Sequence, residues 1–229
     1  MSAGHKAAFV LAPVRVPASL LATPDPNSDP ENRDFRELMR TRLARFQMQC
    51  SGCGFKDVGT KALPEGFLGV HHLNHNHADN RPDNLFPICV ICHDILHIGF
   101  APDHDRGEVL IGDDLLSQVE LTNIVRTCMV AAHNQQGYAE SAEAMYAQLR
   151  DSLWASTRAV MPAAYTGSVR SFGEMLQSGF YDSQISGTSA ALSRVRYLPR
   201  LTGYQSAAGH WAATTYAAIP ESEWPHYAA

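Results

Sequence analysis

Cys50-Ser51-Gly52-Cys53 and Cys89-Val90-Ile91-Cys92 are two thiol pairs, each with two residues between the cysteines. Two thiolates at that spacing can grip one ion from a tight turn, and four satisfy tetrahedral Zn²⁺ in a closed structural site. Gly52 and Gly54 suit the sharp backbone of such a turn. Two other readings are a redox dithiol and four unrelated cysteines. A redox pair belongs beside a βαβ pattern, which this sequence lacks, and it would leave the second pair unexplained. Cys128 stands apart, on the apolar stripe of a predicted helix, where a thiol packs as a small hydrophobe. Six of the eleven histidines also lie between Cys50 and His97. His93 and His97 are four apart, on one face of a helix, and can share an ion. With His71 they would make a three-histidine site with open positions. The alternative is that His93 and His97 pack beside the zinc site or lie exposed on the helix. His75 and His77 read as loop residues.

These groups need elements to hold them. Residues 34–48 read as a helix, with Phe35, Leu38, Met39, Leu43 and Phe46 near helical spacing and Asp34 with Glu37 as a capping box. Its outer face carries Arg36, Arg40, Arg42 and Arg45, read as a solvated basic face or a phosphate contact. Residues 68–73 suit a strand, 76–84 a polar loop, and 92–98 a short helix stopped by Gly99. A strand is expected over 107–112 and a helix over 117–133, opened by Ser117 with Glu120. Helices over 138–154 and 171–178 follow. From about Gly203 the chain is rich in Ala, Gly and aromatics with little periodicity, and a loosely packed or partner-dependent tail is expected. The fold class is α+β. The expected division is a Pro-rich arm (1–31), which could include a docked strand at 14–16, a zinc-bound domain (32–112), a helical extension packed on it (113–205) and a tail (206–229).

Composition bounds the function. The chain has 229 residues, 45% of them hydrophobic and 18% charged, which suits a globular protein with a real core. Acids outnumber bases 23 to 18 for a net charge of −5, which argues against a chain-wide basic nucleic-acid binder. The charge is uneven. Residues 33–61 hold seven bases against three acids (+4), and residues 62–125 hold two bases, Arg81 and Arg106, against ten acids (−8). No apolar run approaches the ~20 residues of a membrane span. The N-terminal stretch does not read as a secretory signal, so a cytoplasmic location is expected. Five cysteines cannot all pair, which favours metal over bridges.

The stretch Val70-His71-His72-Leu73, Asn84-Leu85, Cys89-Val90-Ile91-Cys92-His93 and His97 resembles the HNH, or ββα-metal, nuclease family. The resemblance implies a β-hairpin and helix framed by the zinc knuckles. It implies that His71, His93 and His97 bind a divalent ion (Mg²⁺, Mn²⁺, Ni²⁺ or Zn²⁺), that His72 is the general base, and that Asn84 holds the loop and orients that base. An imidazole with a pKa of about 6.5 suits proton abstraction from water near neutrality. A regular strand would point His72 away from His71, so a bend after His71 is expected. The chain departs from the family pattern in lacking a Pro soon after the His pair and a Gly-Gly in the hairpin loop. A nuclease cleft normally carries a positive field, which the acidic middle would have to borrow from the 33–48 helix.

A longer resemblance covers about residues 30–205. Gln49 to Phe55, Asn80-Arg81-Pro82-Asp83-Asn84-Leu85, Cys89 to Cys92, the strand near Val109-Leu110-Ile111, Leu116 to Leu121, Gly137-Tyr138, Phe172-Gly173-Glu174-Met175-Leu176 and Arg196-Tyr197-Leu198-Pro199 follow the order found in the IcmJ/DotN family of type IVB secretion proteins. That resemblance implies an HNH-like zinc fold used as a scaffold, placed at the inner membrane by its partners. It implies binding to the coupling ATPase, largely through that partner's C-terminal extension, in the platform that recruits substrates. Two functions are therefore expected: an adaptor of a coupling complex, or an active metal-dependent endonuclease acting on DNA.

Overall fold

The computed structural model describes residues 11, 13, 24–29, 31–98, 105–112, 115–134, 137–178 and 194–224. Among them the chain is α+β, with six α-helices and two separate two-stranded antiparallel sheets. Helix α1 (Arg33–Arg45) buries Phe35, Met39 and Leu43, the stripe expected from their spacing. Its cap is Asn32, whose side chain accepts from the Phe35 N–H, rather than Asp34. Arg42 leaves the expected solvated face. It is buried, donates from Nε and Nη2 to the Leu85 carbonyl at 3.0 and 2.9 Å, and lies over the Phe46 ring. The chain then reverses through Gln47 and Met48, both at positive φ, into the first cysteine turn.

Strands β1 (Leu68–His72) and β2 (Leu85–Cys89) pair with His72 opposite Leu85 and Leu68 opposite Cys89. Helix α2 (Val90–His97) follows β2 without a linker, so Cys89 ends the strand and Cys92 lies in the first helical turn. The second sheet joins β3 (Gly107–Ile111) to β4 (Val195–Pro199), a strand not anticipated from the sequence. Helix α3 (Gln118–Asn134) opens on the expected Ser117/Glu120 box: each backbone N–H is satisfied by the other's side chain, at 2.8 and 3.2 Å. Its Gln118 reads β4 directly, donating to the Tyr197 carbonyl and accepting from the Tyr197 N–H. Helices α4 (Ala139–Val160) and α5 (Val169–Gln177) pack around β3.

The expected loose tail is instead helix α6 (Gln205–Ala213), laid on α3 with Trp211 fully buried. Small residues make this packing close: a Cβ added at Gly209 would stand 3.1 Å from the His133 ring. The same residues weakened the apolar periodicity. Two buried carboxylates join the halves. Asp57 accepts from the Phe67 N–H and from Trp211 Nε1, and Asp94 accepts from Arg106 and the Tyr204 hydroxyl. No helix among the described residues is long and apolar enough to cross a membrane. The 14–16 strand falls outside the described residues, but part of the arm is ordered. Asn27 accepts from the Val70 N–H and donates to the Val70 carbonyl, strapping residues 24–29 to β1.

Candidate metal centres

The hairpin and α2 hold two donor clusters. In the first, Cys50, Cys53, Cys89 and Cys92 are all buried, with their sulfurs within 4.8 Å of one another. The Cys53 and Cys89 sulfurs are 3.8 Å apart. A Zn–S length of about 2.3 Å gives a tetrahedral edge of about 3.8 Å, so the donor set fits a thiolate-bound zinc. Gly54 has φ +77°, which the knuckle turn requires, and a Cβ at Gly52 would press on Cys92 Sγ at 3.2 Å. The Cys89 N–H donates to Cys50 Sγ.

The sequence reading missed Arg126 of α3. Its guanidinium donates from Nη2 to Cys53 Sγ at 3.0 Å and Cys89 Sγ at 3.3 Å, and lies 4.1 Å over the Phe55 ring. Asn123 accepts from Arg126 Nη1 and donates to the Cys53 carbonyl, fixing the fork. Burial alone would lower the Arg126 pKa, but the surrounding sulfurs overcome it and raise it well above the ordinary value. The neighbouring thiols, and the arginine charge after them, lower the Cys53 pKa, while burial raises those of Cys50 and Cys92. The available signal was a lone cation inside an apolar helical run. Cys128 is buried as expected, and burial pushes its thiol up to about 11.

The second cluster brings together His71 of β1 with His93 and His97 of α2, their ligand nitrogens within 4.8 Å of one another. The His93 and His97 ring centroids are 4.0 Å apart, and the His71 centroid lies 5.7 Å from that of His97. Burial first, then the neighbouring imidazoles, push His71 down to about 2, which keeps it neutral. Neutral imidazole is the form that binds metal. The donor set therefore fits a divalent ion of borderline softness. His93 Nε2 lies 3.5 Å from the Asp25 carboxylate of the arm.

His72 is buried and stacks on Phe35 of α1, centroids 6.2 Å apart. Its ring does not join the three donors, but His77 bridges the gap, 5.3 Å from His72 and 5.5 Å from His97. Burial is the main cause lowering the His72 pKa. Asn84 is bonded to the loop: its Oδ1 accepts from the Asn74 N–H, and its Nδ2 donates to Asn74 Oδ1 and the Asp79 carbonyl. The hydrogen bond to His72 Nε2 comes from a different residue, Asn80, whose Oδ1 lies 2.9 Å away. Asn80 sits eight residues after His72 in a polar loop, where no periodicity marks it. His77, read as a loop residue, is buried against two of the site histidines.

No family model matches the chain. No curated protein matches it either.

Proposed function

We propose that this protein is a zinc-stabilised adaptor built on an HNH-like ββα-metal core, working in a type IVB secretion or conjugative-transfer coupling complex by binding the coupling ATPase. The observation that carries the reading is the sealing of the four-cysteine cluster by the helical extension. Arg126 of α3 donates into the sulfurs, and Trp211 of α6 packs 5.4 Å from Phe55 beside them. Zinc held by Cys50, Cys53, Cys89 and Cys92 would contribute folding free energy and leave no position for a substrate. The ordered run of IcmJ/DotN-like segments supports the same reading. Co-purification with the coupling ATPase of its own organism, at fixed stoichiometry through gel filtration, is the expected result. A zinc-loaded chain that elutes alone in the presence of that ATPase would overturn the proposal.

His72 favours a second reading, a metal-dependent endonuclease. Asn80 Oδ1 can only accept, so the bond to His72 Nε2 places the ring proton there and leaves the lone pair on Nδ1. That Nδ1 is buried and has no hydrogen-bond partner among the described residues. It could take the proton of a water attacking phosphorus as the P–O bond to the leaving sugar oxygen breaks. His71, His93 and His97 would hold a divalent ion, which supplies neutralisation of the charge on the phosphate and leaving oxygen. Nicking of plasmid DNA with Mg²⁺, Mn²⁺ or Ni²⁺, lost in His72→Ala, is the expected outcome of this reading. Intact plasmid with every metal and folded, zinc-loaded protein would exclude it.

A further inference from the structure

The geometry points to His75 as a fourth protein ligand of the histidine site, so that the ion beside His71, His93 and His97 is closed by four imidazoles and serves as a second structural centre. This inference rests on the reading of that trio as a metal site. It assigns to the site a zinc-like, tetrahedral, substrate-free ion, which belongs with the adaptor.

The first observation is backbone conformation. β1 ends in a tight turn in which the His75 N–H donates to the His72 carbonyl at 2.8 Å. His75 itself has φ +59°, one of only three non-glycine residues at positive φ among the described residues. A left-handed histidine costs conformational energy, and such strain persists where the surroundings fix it. Here the turn folds the ring back over its own strand. The residue is half-buried, but its Nδ1 is fully buried, as is the Nδ1 of His71.

The second observation is ring geometry. A metal–nitrogen length of about 2.0–2.1 Å sets the centroids of two imidazoles on one ideal tetrahedral ion about 5 Å apart, and the three pairs of the His71, His93 and His97 trio span 4.0 to 6.2 Å around that value. The His71 and His75 centroids are 5.1 Å apart, with 66° between their planes. His71 meets His97 at 70° and His93 at 77°, at 5.7 and 6.2 Å, so it sits at the hub of three steeply inclined rings. His77 differs: it lies nearly parallel to His97, at 16°, as a stacked ring facing His72. His75 stands outside the trio whose donors already lie within 4.8 Å. Its own donors lie beyond that distance from at least one of the three, so filling the fourth position requires its side chain to rotate toward them. Four neutral nitrogen donors suit Zn²⁺ and Co²⁺ and disfavour Mg²⁺, which takes oxygen.

The test uses the full chain with zinc already in the four-cysteine site, titrated with Co²⁺ and followed by visible absorption and calorimetry. The variants are His75→Asn and His75→Gly, both of which tolerate the left-handed backbone. The expected result is one added Co²⁺ with the intense spectrum of four-coordinate cobalt. Both variants should weaken binding by more than about 100-fold, beyond the loss seen for groups outside the ligand shell, and convert the spectrum to the weak bands of higher coordination. Binding that His71→Ala abolishes but both His75 variants leave unchanged would overturn the fourth ligand and leave a three-histidine site. Loss on His77→Gln instead of the His75 variants would also overturn it. Absence of any Co²⁺ beyond the cysteine-bound zinc would overturn the trio reading along with it.

Discussion

The two clusters share one hairpin and one short helix, yet they are held in different ways. The four cysteines are enclosed by packing. They are all buried, an arginine from α3 is bonded to two sulfurs, and the aromatic rings of Phe55 and Trp211 close the outside. The histidines are enclosed by a loop and an arm. His71, His93 and His97 meet where the far end of β1 faces α2, with His75 and His77 of the 73–81 loop and Asp25 of the arm against them. The sulfur cluster draws on distant parts of the chain: Arg126 is 73 residues from Cys53, and Trp211, packed on Phe55, is bonded to Asp57 across 154 residues. The histidine cluster depends on bonds made within its own loop, such as Asn84 with Asn74 and Asp79. Nearly the same strand and helix can therefore carry a fixed structural centre at one end and a locally tuned one at the other. Changes at the second should therefore leave the first undisturbed.

The strongest way to break this comparison is to remove one sulfur. Zinc binding and folding are one equilibrium in such sites, worth on the order of 10 kcal/mol, against a total stability of about 5–15 kcal/mol. With zinc held there as proposed, Cys89→Ser should release it and unfold the chain, read as zinc content by mass spectrometry and loss of a cooperative melt. Retained zinc and an unchanged melt would mean the cluster is not the node of the fold. Trp211→Ala comes next. Removing a fully buried indole costs about 3–5 kcal/mol and would leave Asp57 without one of its donors. A small effect would show that α6 is not part of the enclosure.

Arg126→Met tests the charge. Breaking a buried ion pair costs about 3 kcal/mol or more, and methionine preserves most of the volume. The variant should keep its zinc but lose it faster to a chelator. Equal release rates would show that the guanidinium does not stabilise the sulfur charge.

Sequence patterns showed what is set locally and missed what is set at a distance. The cysteine spacing, the apolar stripe of the expected 34–48 helix and the Ser117/Glu120 box are each set by near neighbours in sequence, and each appears in the fold. Strand β4 exists only because β3, some ninety residues earlier, and Gln118 supply its hydrogen bonds. Arg42 reads as a surface cation, and Arg126 goes unmarked, because a helical pattern cannot show a carbonyl or a sulfur beneath it. In the histidine site the i,i+4 spacing marks His93 and His97, the HNH resemblance adds His71, and the same resemblance places the partner of His72 on Asn84. A loop has no period, so which of Asn80 and Asn84 reaches the ring is decided by how the Asp79–Arg81 segment turns. Asp79 fixes that turn by accepting from Arg81 at 2.7 Å and from Asn74 at 2.7 Å.

The smallest expected effect is the most specific to the histidine end. Asn80→Ala removes one partly exposed hydrogen bond, worth about 0.5–1.5 kcal/mol, and should leave both the zinc content and the melt almost unchanged. Its effect falls on the His72 ring. With Asn80 present, the proton is held on Nε2 by the 2.9 Å bond to Oδ1. Without it, the two neutral tautomers exchange, and the ring nitrogens lose their separate protonated and bare signatures. Long-range nitrogen–proton correlation spectra of the histidine side chains read this directly. A change confined to His72, with the cysteine-bound zinc intact, would show that single loop hydrogen bonds tune this end independently of the sulfur end. Unchanged His72 nitrogens would assign the tautomer to the burial against Phe35 and His77 and remove Asn80 from the site, while a melt lowered by several kcal/mol would show that the loop is coupled to the core and that the two ends are not separable.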